Sequence, residues 1–162
     1  MRTALKISTI LSWINMIVWG LMVVIGILSA LAFQSFALLV IVFLLAVVIL
    51  HSYAAFQLHK SIKNPAIPLS SQTPVGLRFV GFIALFFGIS CLANGITIIQ
   101  DPKEFLKLMQ DQFPQAKSFT ITDIRLEGFI ALFLGLSVAV NVFLNFRLLR
   151  WYRFMQDDEK SK

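Results

Sequence analysis

The residues that could support chemistry in this chain are few, and none stands in a spacing that catalysis or metal binding uses. The sequence contains two histidines, His51 and His59, and one cysteine, Cys91. They have neither the paired spacing nor the neighbouring acids of a metal site. Ser52 directly follows His51, and adjacent side chains diverge on a helix, so a Ser-His-Asp arrangement fails. We therefore expect no catalytic residue, no metal and no cofactor, and we expect that the protein is not an enzyme.

Three polar residues inside apolar stretches form the candidate site: Asn15, His51 and Asn141. At 1.5 Å of rise per residue, each lies about 10–12 Å inside its span, measured from the same side of the membrane. The three side chains could therefore meet in a bundle interior. Two roles are open for such a cluster. A neutral histidine bonded to asparagine joins helices, whereas an ionisable group inside a membrane also serves as a substrate or proton site. No Asp or Glu lies inside the apolar stretches, which disfavours proton-driven transport.

The elements that carry these residues are membrane spans. Hydrophobic residues make up 58% of the chain and charged residues 14%, with a mean hydropathy of +0.83, so a soluble fold lacks polar surface. A helical span needs about 20 residues, and four stretches are long enough: 7–33, 36–58, 79–100 and 128–146. Because helices satisfy their own backbone polar groups, we expect an all-α integral membrane four-helix bundle, a single membrane domain over 1–162.

The first span could be mistaken for a cleaved leader. It follows Arg2 and Lys6, and residues 30–32 (Ala-Leu-Ala) resemble a signal-peptidase site. The apolar run is longer than the roughly 7–15 residues of a signal core, so we expect an uncleaved span. A turn near Gln34 and Ser35 should separate it from the second span.

Charge placement predicts the topology. The two termini and the segment between spans two and three carry ten basic and three acidic residues, a net charge of +7. The segment between spans three and four carries four basic and five acidic residues, a net charge of −1. The positive-inside rule then predicts a multi-pass protein of the cell membrane with both termini in the cytoplasm. Topology thus explains the basic character of the chain, and no soluble basic surface indicates a nucleic-acid partner.

Spans three and four contain an internal repeat. Residues 81–90 read GFIALFFGIS and residues 128–137 read GFIALFLGLS, so eight of ten positions match at an offset of 47. Asn94 corresponds to Asn141 at the same offset. Because only a loop separates the two spans, the copies run in opposite directions, and we expect an inverted repeat about an axis in the membrane plane.

Small residues recur at spacings of three and four in both copies. This pattern indicates helix packing, either within the bundle or between copies of it. The predicted packing residues are Gly81, Ala84, Gly88, Gly95, Gly128, Ala131 and Gly135.

Two segments connect the spans. Residues 59–78 are rich in proline and serine, which predicts a cytoplasmic linker. Residues 102–113 predict an amphipathic helix that lies on the outer membrane surface or over the bundle, because Asp101 suits an N-cap and apolar residues recur every four positions to Phe113. A ligand lid is the alternative role for this helix.

The cytoplasmic tail, residues 147–162, begins with basic and aromatic side chains. Such side chains at the end of a span hold lipid headgroups and favour anionic lipids. The predicted interfacial anchor comprises Arg147, Arg150, Trp151 and Arg153.

Two functional hypotheses follow from these patterns. The leading one is a non-enzymatic integral membrane protein that acts through helix packing, as a homo-oligomer or as an accessory subunit of a membrane partner, because a packing face is duplicated and no reactive group is. The alternative is a small transporter or channel for a small molecule, ion or lipid, which the inverted repeat and the polar cluster would serve. Neither pattern names a substrate.

Overall fold

The computed structural model describes residues 2–64, 66–112 and 118–160, except for the side chains of residues 112 and 157–160. Five helices form nearly all of this part and no strand occurs in it. They are α1 (Arg2–Ala32), α2 (Phe36–Lys63), α3 (Thr73–Gln100), α4 (Pro102–Gln112) and α5 (Ile121–Lys160). All except α4 are long and apolar enough to cross a membrane. The predicted all-α fold with four membrane-spanning helices is confirmed.

The spanning helices extend beyond the apolar stretches. α2 continues to Lys63 although its apolar stretch ends at Leu58, and α5 is 40 residues long. Intrahelical hydrogen bonds form as readily at the level of the headgroups as in hydrocarbon, so the loss of apolar character does not end a helix. Residues 64–72 therefore make the whole connection between α2 and α3, which is shorter than the linker expected over 59–78.

The turn between α1 and α2 is a Schellman motif without glycine. Gln34 adopts the left-handed region with φ 48°. Its N–H donates to the Leu31 carbonyl at 3.4 Å, and the Ser35 N–H donates to the Ala30 carbonyl at 3.1 Å. Ser35 then caps α2, because its side chain accepts a hydrogen bond from the Leu38 N–H. These bonds satisfy backbone groups that a helix end would otherwise leave unpaired.

Side chains also fix the starts of α4 and α5. The Asp101 carboxylate accepts from the Glu104 N–H at 3.2 Å, in agreement with a helix that begins at Pro102. The predicted end of that helix, at Phe113, lies outside the described residues. Before α5, the Thr120 N–H donates to the Asp123 carboxylate at 2.8 Å and the Asp123 N–H donates to the Thr120 hydroxyl at 3.3 Å. This reciprocal pair is a capping box.

The chain divides into two compact units. The first unit comprises Met1–Phe86 and Val138–Lys162, and thus α1, α2, the first part of α3 and the last part of α5. The second unit, Phe87–Ser137, holds the rest of α3, α4 and the first part of α5.

The first unit has an apolar core near the ends of its helices. The core residues are at most 1% exposed: Ala55, Leu58, Leu77, Leu148 and Leu149. Tyr152 packs against this core, and its hydroxyl accepts a hydrogen bond from the Leu69 N–H at 3.4 Å. The connection between α2 and α3 is therefore attached to α5.

In the second unit, α3 and α5 approach each other through glycines. A Cβ atom on Gly95 would lie 2.8 Å from the Gly128 carbonyl oxygen, and one on Gly135 would lie 2.7 Å from the Gly88 carbonyl oxygen. Backbone oxygens inside a helix cannot move aside as a flexible side chain can. Only glycine permits this separation between the two helices.

Candidate functional site

Five buried polar side chains from three helices form a hydrogen-bonded group in the first unit, called here the polar network. Each side chain is at most 2% exposed. The members are Ser8 and Ser12 on α1, His59 on α2, and Asn141 and Asn145 on α5.

Helical spacing explains why these residues share one interior. Ser8 and Ser12 are four residues apart on α1, and Asn141 and Asn145 are four apart on α5, so each pair lies on one helix face. The buried face of α1 continues at Asn15. Large apolar side chains occupy much of the outer surface of the same helices. Polar residues inside and apolar residues outside are the arrangement that a lipid environment favours.

Asn145 lies at the centre of the polar network. Its carboxamide oxygen accepts from the Ser8 hydroxyl at 2.8 Å and lies 2.9 Å from the His59 Nε2 atom. Its amide group donates to the Asn141 carboxamide oxygen at 3.1 Å. Asn145 therefore connects all three helices through one side chain.

Asn141 extends the polar network along α1. Its carboxamide oxygen accepts from the Ser12 hydroxyl at 3.1 Å, and the Ser8 hydroxyl lies 3.3 Å away. The Ser12 hydroxyl and the Asn145 amide therefore both donate to this oxygen, whereas the single Ser8 proton serves the shorter bond to Asn145. An acceptor bonded this fully has no need of water, which suits a site inside a membrane protein.

The hydrogen bonds assign the tautomer of His59. The Asn145 oxygen can only accept, so the ring proton that serves this bond is on Nε2. The Nδ1 atom then faces the Thr9 hydroxyl at 3.3 Å. That hydroxyl donates its only proton to the Leu5 carbonyl at 2.7 Å, so it is not also a donor to Nδ1. With Nε2 protonated, His59 serves the polar network as a donor to Asn145.

The polar network joins α1, α2 and α5 through side-chain hydrogen bonds. It contains hydroxyls, carboxamides and one imidazole. Two cavities of about 370 and 430 Å³ lie in the first unit, and neither is lined by a member of the polar network.

The structure places the three residues of the predicted cluster differently from one another. Asn15, His51 and Asn141 are all about 1% exposed, and Asn141 belongs to the polar network. Neither ring nitrogen of His51 has a hydrogen-bond partner among the described residues. The His51 ring packs edge-on against Phe146, with the ring centroids 6.5 Å apart. The predicted contact between His51 and Asn141 is not a hydrogen bond.

Sequence reasoning left His59, Ser8, Ser12 and Asn145 out of the candidate site. His59 precedes Lys60, and the apolar stretch ends at Leu58, so His59 was expected to begin the linker. Because α2 continues to Lys63, the histidine stays inside the bundle. The four-residue spacings of the serines and asparagines were the signal that could have found the other members.

The predicted packing residues have two different environments. In the second unit, Gly95, Gly128 and Gly135 face backbone atoms, as described above. A Cβ atom on Gly81 in the first unit would instead lie 2.7 Å from the Phe146 ring and 3.1 Å from the His51 ring. Ala84 is buried and Ala131 is half-buried. Gly81 thus makes room for aromatic rings rather than for a helix backbone.

The predicted interfacial anchor lies along the last part of α5. Arg147, Arg150 and Arg153 are exposed, and Trp151 is half-buried. The guanidinium groups are therefore accessible to headgroups at the end of the bundle.

Among the described residues, no group of three His, Cys, Asp or Glu side chains is placed to hold a metal ion. Cys91 is half-buried and is not in a disulfide. Comparison of the chain with protein-family models, with curated proteins and with solved structures gives no match.

Proposed function

We propose that this chain is a non-enzymatic protein of the cell membrane, with both termini in the cytoplasm, that works as a homo-oligomer or as an accessory subunit of a membrane partner. One observation carries the proposal: Asn94 is exposed on α3. It precedes the end of that helix at Gln100 by about 9 Å at 1.5 Å per residue. Its counterpart in the repeat, Asn141, is buried and hydrogen-bonded.

An exposed carboxamide on a membrane-spanning helix is favourable where another helix contacts it. In hydrocarbon the group loses the hydrogen bonds that water would give, and asparagine side chains bond readily between spanning helices. A carboxamide both donates and accepts, so two copies of Asn94 related by a twofold axis satisfy each other. This favours a second copy of the chain as the partner. A polar side chain of a foreign subunit would supply the same hydrogen bond.

The inverted repeat has support in the second unit. Gly88 and Gly135 hold equivalent positions in the two copies and approach each other closely. A twofold axis that relates the two copies of the repeat within one chain predicts this close approach, because a contact between equivalent residues lies on that axis. We infer that the repeat serves to pack α3 against α5, and that it leaves Asn94 for contacts outside the chain.

The polar network supports a role without catalysis or transport. Its side chains bond to one another across α1, α2 and α5. The two cavities of the first unit described above are lined by other residues. We therefore retain helix packing as the proposed mode of action.

The test replaces Asn94 by leucine. We expect N94L to weaken self-association about tenfold, the loss of one interhelical hydrogen-bonded contact of 1–2 kcal/mol, while the melting temperature of the monomer stays unchanged. Light scattering after size exclusion in mild detergent, over a range of concentrations, gives the dissociation constant.

The matched control is N141L, the same change at the equivalent position of the repeat. It should lower the melting temperature and leave the association of the folded fraction as in the wild type. If the wild type is a monomer, native mass spectrometry of protein extracted from its own membrane should show a foreign subunit that N94L releases. Wild-type association of N94L together with no such subunit would contradict the proposal.

A further inference from the structure

A cavity of about 430 Å³ lies in the first unit, with walls from α3 and α5. Its lining combines two cationic and three apolar side chains: Arg78, Phe82, Phe146, Leu149 and Arg150. No described carboxylate lines it. It shares no residue with the polar network.

Packing fixes the apolar wall of this cavity. Leu149 is 1% exposed and belongs to the apolar core. The Phe82 and Phe146 rings lie 5.4 Å apart at an interplanar angle of 54°. Gly81 leaves room for the Phe146 ring, since a Cβ atom there would lie 2.7 Å from it. Close contacts therefore hold Leu149 and Phe146 in the wall, and Phe82 packs against Phe146 while it remains largely exposed.

The two arginines bring positive charge to the edge of this wall from different helices. Arg78 follows the start of α3, and Arg150 lies in the last part of α5; both are exposed. They lie at the ends of α3 and α5 that the positive-inside rule assigns to the cytoplasm. Anionic lipids are abundant in that leaflet, and basic residues near its surface attract them.

We propose that this cavity binds one anionic phospholipid. The planar guanidinium groups of Arg78 and Arg150 hold the headgroup phosphate, to which arginine donates two parallel hydrogen bonds. Phe82, 64% exposed, gives the first acyl chain an apolar surface beside the charged site. The inference goes beyond the proposed function and does not depend on the oligomeric state, so the two can fail separately.

The experiment is native mass spectrometry of the full chain in mild detergent, with phosphatidylglycerol and phosphatidylcholine supplied in equal amounts. We expect the wild type to retain one phosphatidylglycerol in preference to phosphatidylcholine. The double variant R78Q/R150Q should retain it about 30-fold less, because it removes the charge-assisted hydrogen bonds that both guanidinium groups donate to the phosphate. Retention of phosphatidylcholine should not change.

The matched control, R147Q/R153Q, removes the same charge from exposed positions on α5 that do not line the cavity. It should reduce retention by no more than about threefold, because it leaves the paired contacts to the phosphate intact. Equal losses in the two double variants would overturn the site, since they would indicate diffuse surface attraction. The variant R78K/R150K keeps the charge without the planar donors and should give intermediate retention. It also replaces R78Q/R150Q if that variant fails to fold.

A second arm separates the lipid from its phosphate group. Millimolar inorganic phosphate should neither displace phosphatidylglycerol nor raise the melting temperature of the wild type. If phosphate does both, and R78Q/R150Q abolishes the effect, the site binds free phosphate and the lipid assignment is wrong.

Discussion

The two units of this protein pack related sequences by different means. In the first unit, α5 meets α1 and α2 through hydrogen bonds between polar side chains that are at most 2% exposed. In the second unit, α5 meets α3 through glycines whose missing side chains allow backbone contact. Equivalent positions of the repeat fall in different units: Asn141 belongs to the polar network of the first unit, and Asn94 is exposed in the second unit.

This difference shows that a repeated sequence does not determine its own environment. Asn141 is buried where the Ser12 hydroxyl on α1 donates to its carboxamide oxygen. Asn94 belongs to the part of α3 in the second unit, and its side chain is exposed. The same residue type is therefore buried and hydrogen-bonded in one copy of the repeat and exposed in the other.

The largest expected effect concerns the glycine contact. G135A should destabilise the protein by about 3 kcal/mol, because the added Cβ would lie 2.7 Å from the Gly88 oxygen and 2.9 Å from the Leu92 nitrogen. The control is G20A, since nothing lies within 4 Å of a Cβ at Gly20. In a helix interior that change should stabilise by about 0.5–1 kcal/mol. Unfolding by denaturing detergent in mixed micelles measures both, and equal effects would show that α3 and α5 are not in backbone contact.

A smaller effect should follow when the polar network loses its centre. N145L removes the bonds to Ser8, His59 and Asn141 from the centre of the polar network, which should cost about 2 kcal/mol. The control is F143L, an apolar change at an exposed position two residues away on α5. The same micelle unfolding assay applies. A loss for N145L no larger than that for F143L would indicate that the polar network does not hold the three helices.

The smallest effect tests whether two members of the polar network act together. In a double-mutant cycle, S8A and N145L should be non-additive by about 1 kcal/mol, because each removes the same 2.8 Å hydrogen bond. The pair G135A and N145L, from different units, should instead add. If S8A and N145L add and G135A and N145L do not, the two units are not packed independently, and the distinction between them is wrong.

Most of the fold could be predicted from apolar run lengths, because a bilayer fixes how long a spanning helix must be. The turn at Gln34 was also accessible, since two polar residues interrupt a long apolar run. The start of α5 before its apolar stretch was not predicted. It depends on reciprocal hydrogen bonds between Thr120 and Asp123, which hydropathy does not detect.

The candidate site was harder to predict, because depth in the membrane does not determine which way a side chain points. His51 is buried, as a bundle-facing residue should be, yet the space left by Gly81 admits the Phe146 ring beside it. His59 supplies the imidazole of the polar network instead. Only the packing of neighbouring helices selects between the two histidines.

The chain order of the polar network has a consequence for biogenesis. Ser8 and His59 lie on α1 and α2, which precede α5 in the chain and therefore leave the ribosome before it. Until α5 is made, Ser8 and His59, which are 3.1 Å apart in the finished protein, lack the Asn145 carboxamide that both contact. A chain truncated before α5 would therefore hold two polar groups without the partner that they share.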